Sequence, residues 1–128
     1  MFVVGFQEIV PLSAKNVMTN KNSSQIQYWD QLITDCLNEN TEFHQDSDKY
    51  VKIRSDDMVG LYIGIFVKRC LRPHIKEIAC SKIKLGRANL ANKGSVCLRF
   101  KYKESTLSFG VCHLESGQAA GLDVTRRQ

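Results

Sequence analysis

Long apolar runs are missing from this chain. No stretch approaches the roughly 18 consecutive apolar residues that a helix needs to cross a bilayer, so any membrane contact is expected to be peripheral. The N-terminus lacks the basic segment of a secretory signal peptide, and its own apolar run is broken by Gly5 and Glu8. Closely paired cysteines are missing too. Cys36, Cys70, Cys80, Cys97 and Cys112 are odd in number and none has the spacing of a zinc site, which leaves reduced, buried thiols in a cytoplasmic protein as the expectation. Proline occurs only twice, at Pro11 and Pro73, and each marks a break between elements. No internal repeat or low-complexity tract is present, which excludes a solenoid.

What is present is an ordinary globular composition. The 128 residues suffice for one domain with its own core and not for two. Hydrophobic residues at 43% and charged residues at 24% argue against general disorder. A net charge of +5 suits a phosphate-rich or anionic partner but marks one only weakly. The charges are unevenly placed: Lys82, Lys84, Arg87, Lys93, Arg99, Lys101 and Lys103 fall in one region, and the acids gather between Glu39 and Asp57.

Periodicity gives the elements. Phe2, Val3 and Val4 form the continuous apolar run of a strand buried on both faces, ended by Gly5 and Pro11. After a polar segment, Ser23 and Ser24 can cap a helix from Gln25 to about Leu37, where Ile26, Trp29, Ile33 and Leu37 recur at helical spacing and Leu32 and Cys36 broaden the stripe. That stripe should lie on a sheet, with Trp29 as its core anchor. A surface loop carrying His44 leads to a short strand over Tyr50–Ile53, ending at Ser55-Asp56-Asp57.

Met58 to Lys68 is apolar at nearly every position, with Val59, Leu61, Ile63, Ile65 and Val67 on one face and Tyr62 and Phe66 on the other; it should be a central strand with something packed closely on Gly60 and Gly64. Ile75–Leu85 alternates less clearly. Val96, Leu98, Phe100 and Tyr102 alternate cleanly with polar residues, and Leu107, Phe109 and Val111 complete a hairpin that ends at His113. One helix against about six strands predicts an α+β fold with a mostly antiparallel or mixed sheet.

The segment Met1 to Leu12 carries the first chemical signal. Glu8, at a strand end among Phe6, Ile9 and Val10, is costly to bury unless it meets a cation or a donor. A hard divalent metal would serve, since magnesium takes one or two protein carboxylates and fills its other positions with water and phosphate oxygens. A turn in which Glu8 accepts backbone hydrogen bonds fits the spacing as well. His113 likewise fits a hydrogen-bonded structural histidine, and Lys93 and Arg87 fit plain loop cations.

Taken together, Val4-Gly5-Phe6-Gln7-Glu8-Ile9-Val10-Pro11-Leu12, Asn16-Val17, Trp29, Ala91-Asn92-Lys93-Gly94 and His113-Leu114 followed by Arg126-Arg127 resemble the ordered motifs of synaptojanin-like inositol polyphosphate 5-phosphatases. These are magnesium-dependent members of the exonuclease/endonuclease/phosphatase superfamily, which includes deoxyribonuclease I. The resemblance implies part of a two-sheet α/β sandwich, about one mixed sheet and one main helix of it. It further implies that residues 1–128 are a partial catalytic domain lacking its first strand and its C-terminal half.

It implies that Glu8 ligates Mg2+, that His113 hydrogen-bonds the scissile phosphate or assists the leaving group, and that Asn92 and Lys93 contact the inositol headgroup, a role that suits lysine as a mobile point charge. The activity implied is hydrolysis of the 5-phosphate of a phosphoinositide lipid or soluble inositol polyphosphate, in the cytoplasm and peripherally at membranes, with no nucleic acid as partner. Departures qualify this. The Gly-Asp-x-Asn and Ser-Asp-His motifs that position and activate the nucleophile are not in these 128 residues, so the chain alone is expected to be inactive. A noncatalytic binding remnant of the same fold and a nuclease of the same superfamily are the other readings; Asn92-Lys93-Gly94 argues against the nuclease.

Overall fold

The strand that the other elements cover is β3, Leu61–Lys68, in which every residue from Leu61 to Val67 is buried. The computed structural model describes residues 1–9, 23–39, 42, 45–58, 60–85 and 93–114. Burial on both faces follows from β3 lying in the middle of a three-stranded antiparallel sheet, between β1 (Phe2–Phe6) and β2 (Tyr50–Met58). A second antiparallel sheet contains β4 (Ile75–Leu85), β5 (Lys93–Tyr102) and β6 (Ser105–His113), in that order. The six described strands thus divide between two antiparallel sheets, where the sequence pointed to about one mixed sheet; alternation within a strand fixes which side chains share a face, not which strands share a sheet.

The two sheets face each other. Leu61, Ile63, Ile65 and Val67 of β3 meet Val96, Leu98 and Phe100 of β5, and all of these are buried in one apolar cluster with Met58 and Ile75. Burial stabilises by about 25 cal/mol per Å2 of apolar surface, and this shared layer is where the buried apolar side chains of the two sheets gather. The opposite face of β3 presents Tyr62 and Phe66 to the side of the sheet on which the helix α1 (Ser23–Glu39) packs. Gly64 sits between those two rings, and a Cβ there would collide with both. The split of β3 into two apolar faces is the one its sequence predicts.

The helix α1 turns Ile26, Trp29, Ile33 and Leu37 partly inward, while Leu32 and Cys36 are exposed, so the stripe is narrower than its sequence implied. Trp29 packs on Phe6, with ring centroids 4.9 Å apart, and joins the helix to β1. Its neighbour Asp30 is the buried charged residue of the described structure: the Tyr62 hydroxyl donates to it at 2.7 Å, the Ser55 hydroxyl at 2.9 Å, and Lys52 pairs with it. Burial, and after it the Asp30 carboxylate, push the Tyr62 hydroxyl well above the usual tyrosine pKa. At the other end of the helix, Asn38 accepts from the Tyr50 amide at 2.9 Å and donates to the Tyr50 carbonyl at 3.0 Å, which fixes where β2 begins.

Several boundaries differ from the sequence reading. β1 is an edge strand whose Phe2 is exposed, not a strand buried on both faces. β2 runs on through Ser55-Asp56-Asp57, because Lys82 of β4 ion-pairs Asp56 at 2.5 Å and offsets the cost of carrying acids in the ladder. Gly60 lies in the turn between β2 and β3 with φ +76°, a conformation glycine adopts without strain, rather than inside a strand. All five cysteines are free thiols, but none is fully buried: Cys36, Cys70 and Cys112 are exposed and Cys80 and Cys97 partly so. The side chains of Ser23 and Ser24 and all of His44 lie outside the described residues.

Candidate active site

Three loops and strand ends meet at one end of the sandwich. β1 ends at Phe6, and the chain turns through Gln7, Glu8 and Ile9; Glu8 has φ +56°, a strained conformation for a residue with a side chain. The Ile9 amide donates to the Gly60 carbonyl at 3.2 Å, which anchors this turn to the first sheet. On the second sheet, His113 is the last residue of β6 and pairs with Gly94 of β5. Gly94 has φ +148°, and a Cβ there would strike the Ile83 carbonyl and the Met58 side chain, so only glycine lets β5 start so close to β4. Lys93 is carried by that start.

The side chains converge on a single atom. The Lys93 ammonium lies 2.7 Å from Nε2 of His113, and a carboxylate oxygen of Glu8 lies 3.5 Å from the same Nε2. Glu8 is 85 positions from Lys93 and Lys93 is 20 from His113 in the sequence, so the fold, not chain proximity, assembles the group. The ammonium can only donate and the carboxylate can only accept, so Nε2 answers Lys93 as an acceptor or Glu8 as a donor according to where the imidazole carries its proton. The other ring nitrogen, Nδ1, is buried and has no hydrogen-bond partner among the described residues, an unusual state for a buried polar atom.

Exposure separates the three groups. The Glu8 side chain is 69% exposed and that of His113 is 12% exposed, so the carboxylate can take another ligand while the imidazole is held in place. Among the described residues no group of three or more His, Cys, Asp or Glu side chains gathers as a closed metal site. A lone exposed carboxylate with unused lone pairs instead suits a cation that keeps most of its own water. The arrangement brings one carboxylate, one ammonium and one imidazole nitrogen together at this end of the sandwich.

Of the residues singled out from the sequence, Glu8, Lys93 and His113 are brought together, and Asn92 lies outside the described residues, as do Arg87, Arg126 and Arg127. Two members of the basic cluster are engaged by acids. Lys82 is ion-paired with Asp56, and Lys101 lies 3.8 Å from Glu77. Gln7 received no role from the sequence, yet its side-chain amide donates to the Cys112 carbonyl at 2.5 Å, across from one sheet to the other. The signal for it was its place directly before Glu8.

The model of the Endonuclease/Exonuclease/phosphatase family 2 matches residues 1–128. The chain belongs to this family. It is 37% identical over 141 residues to the type IV inositol polyphosphate 5-phosphatase 9 of Arabidopsis thaliana, a match that covers 100% of this chain and 33% of the relative. It is 31% identical to human synaptojanin-2, over 93% of this chain and 8% of that protein.

Its fold is similar to the solved inositol polyphosphate 5-phosphatase domain of SPsynaptojanin, in complex with inositol (1,4)-bisphosphate and calcium ion. That likeness has a TM-score of 0.73 and 32% identity, and covers 93% of this chain and 32% of the solved one. The two-sheet sandwich of family 2 is therefore the architecture of this chain, which spans about a third of the length of the plant relative and of the solved domain.

Proposed function

We propose that this chain supplies the metal- and phosphate-binding part of a family 2 catalytic domain that hydrolyses the 5-phosphate of an inositol polyphosphate or of a phosphoinositide lipid. The observation that carries the proposal is the convergence of Glu8, Lys93 and His113 on Nε2 of the imidazole. Phosphate monoester hydrolysis is a problem of charge: the phosphoryl oxygens must be neutralised, the leaving oxygen assisted and a water activated. The three residues address the first two of these tasks.

Glu8 fits a divalent cation through its exposed carboxylate, and Mg2+ is the ion that the resemblance implies. Bound there, the ion would supply Lewis-acid neutralisation of phosphoryl oxygens. Lys93 offers a point charge to a phosphate that is not cleaved, with Asn92 beside it in the sequence. When an anion draws Lys93 away, Nε2 of His113 is left free to take a proton and present it to a phosphoryl or leaving oxygen. The low exposure of the ring keeps that nitrogen aimed. Leu114 follows His113, and Leu85 pairs across the ladder with Lys93; both are exposed, which supports a lipid headgroup presented at a membrane surface as well as a soluble one.

Water activation is the missing task. The motifs the resemblance assigns to it are absent from the sequence, and the chain alone should bind without turnover. Titrating the chain with a soluble inositol polyphosphate and Mg2+ while following amide resonances tests the binding part: shifts centred on Lys93 and His113, lost in Lys93→Ala, are expected. Shifts spread evenly over the basic residues would overturn the assignment. Phosphate release by the 128 residues alone that survives Glu8→Gln would overturn the proposed chemistry.

A further inference from the structure

We infer that Gln7 is a positioning residue: its amide clasps the two sheets together at the site end and sets the separation of Glu8 from His113. The inference rests on the reading of Glu8 and His113 given above. β1 and β6 belong to different sheets and share no backbone ladder, so the main-chain hydrogen bonds do not fix where Glu8 stands relative to His113. Three successive side-chain contacts do that instead. Gly5 lies so close to Val111 that a Cβ on Gly5 would collide with the Val111 methyl; next, Gln7 Nε2 donates to the Cys112 carbonyl at 2.5 Å; next, Glu8 reaches His113 at 3.5 Å.

Away from the site the same seam opens into a groove of about 530 Å3 lined by Met1, Val3, Phe109 and Val111. Among the described residues the two edge strands therefore lie closest from Gly5 and Val111 toward the end that holds the site.

The backbone at Glu8 sharpens the point. Its φ of +56° is costly for a side-chain-bearing residue and persists only where neighbours hold it. Its two neighbours do so, one on each sheet: Gln7 through the Cys112 carbonyl and Ile9 through the Gly60 carbonyl. Glu8 is pinned between the sheets by this pair. A solvent-facing amide hydrogen bond adds little to overall stability, so the contribution of Gln7 should be local.

The test uses the 128-residue chain with Gln7→Glu, which keeps the shape and removes the donor, and Gln7→Lys, which restores a donor of similar reach. Amide exchange of Cys112 and His113 is measured against that of β3, and Mn2+ serves as a paramagnetic probe whose binding is followed separately by loss of free ion. Gln7→Glu should raise exchange at the end of β6 about fivefold and leave β3 unchanged. It should also reduce the Mn2+-induced broadening of the His113 ring per ion bound, and Gln7→Lys should restore both. Unchanged exchange and broadening in Gln7→Glu, or a uniform rise that includes β3, would overturn the clasp. Absence of His113 broadening in the unsubstituted chain would instead overturn the metal assignment of Glu8, while the exchange rates still decide the clasp.

Discussion

Asp30 and Glu8 are both carboxylates set next to aromatic and aliphatic residues, and the fold treats them in opposite ways. Asp30, on the inner side of α1, is 8% exposed and receives the Tyr62 hydroxyl, the Ser55 hydroxyl and the Lys52 ammonium. Its oxygens are engaged from three directions, and the network ties the helix to the first sheet. Glu8 keeps 69% of its side chain exposed and lies 3.5 Å from an imidazole whose other nitrogen is buried without a partner among the described residues. A satisfied buried carboxylate stabilises, because loss of any partner strands another group. An exposed carboxylate beside an unsatisfied imidazole holds binding capacity that the fold itself does not use. The difference in satisfaction, not in charge or neighbours, separates a structural acid from a candidate ligand.

The comparison breaks most visibly at Asp30. Asp30→Ala leaves the Tyr62 hydroxyl buried with no acceptor, while Lys52, which is 39% exposed, recovers water. A loss of about 3 kcal/mol is expected, at the low end for a broken buried ion pair because of that recovery. Urea unfolding should show it as a shift in midpoint at constant slope. A loss below about 1 kcal/mol would mean that the helix is held by its apolar stripe alone.

Glu8→Gln should do the reverse. Stability should change by less than about 0.5 kcal/mol, as for surface positions in general. In a chain completed to a full family 2 domain, kcat should fall by about 10²-fold or more, the scale of losing one preorganised electrostatic contact. If Glu8→Gln destabilises the fold as much as Asp30→Ala does, Glu8 is a structural acid and the contrast fails.

Much of this was legible in the residues. The alternation in β3, β5 and β6 gave their buried faces, because a strand of period two must place Leu61, Ile63 and Ile65 together wherever it lies. The helix was given by Ile26, Trp29, Ile33 and Leu37. Asp30 was not legible, since a single acid beside a stripe shows its partners only after the strands carrying Lys52, Ser55 and Tyr62 are assembled against it. The two-sheet sandwich was legible through the resemblance, whereas periodicity alone could not say which strands share a sheet. Glu8, Lys93 and His113 were found through ordered motifs rather than through periodicity, and the geometry added what motifs cannot carry: that the three meet at one nitrogen, and that Gln7 bridges the sheets beside them.

Asp56 provides an intermediate case between the two acids, testable by pH. Partial burial by itself would raise its pKa, but hydrogen bonds from Cys80, Lys82, the Asp57 amide and Arg54 outweigh it and hold the carboxyl at about 2, below the ordinary 3.8. The folded value lies below the unfolded one, so the unfolded chain binds more protons between them. The stabilisation is complete above the unfolded value and is lost as pH falls toward 2. It amounts to about 2 kcal/mol on conversion of the shift. Urea midpoints between pH 5 and pH 2 should decline with that midpoint in the chain and decline less in Asp56→Asn. An identical decline in both would place the acid sensitivity in other carboxylates.

Lys93 should give the smallest effect and the most discriminating one. Its ammonium is 2.7 Å from Nε2 of His113, so it could act on the imidazole or on a bound anion, and the two differ in kinetics. A lysine that grips a phosphate away from the reacting centre binds ground state and transition state alike. Lys93→Ala in the completed domain should then raise KM about tenfold and leave kcat nearly unchanged. The penalty should shrink at high salt, which screens an exposed charge, and on substrates that lack the gripped phosphate. A lysine that acts by positioning His113 would lower kcat on every substrate, whatever the salt. Measuring both constants for Lys93→Ala, on a lipid and on its soluble headgroup at two ionic strengths, separates the cases. A fall in kcat equal to that of Glu8→Gln would show that Lys93 belongs to the reacting centre and that the phosphate it was assigned is held elsewhere.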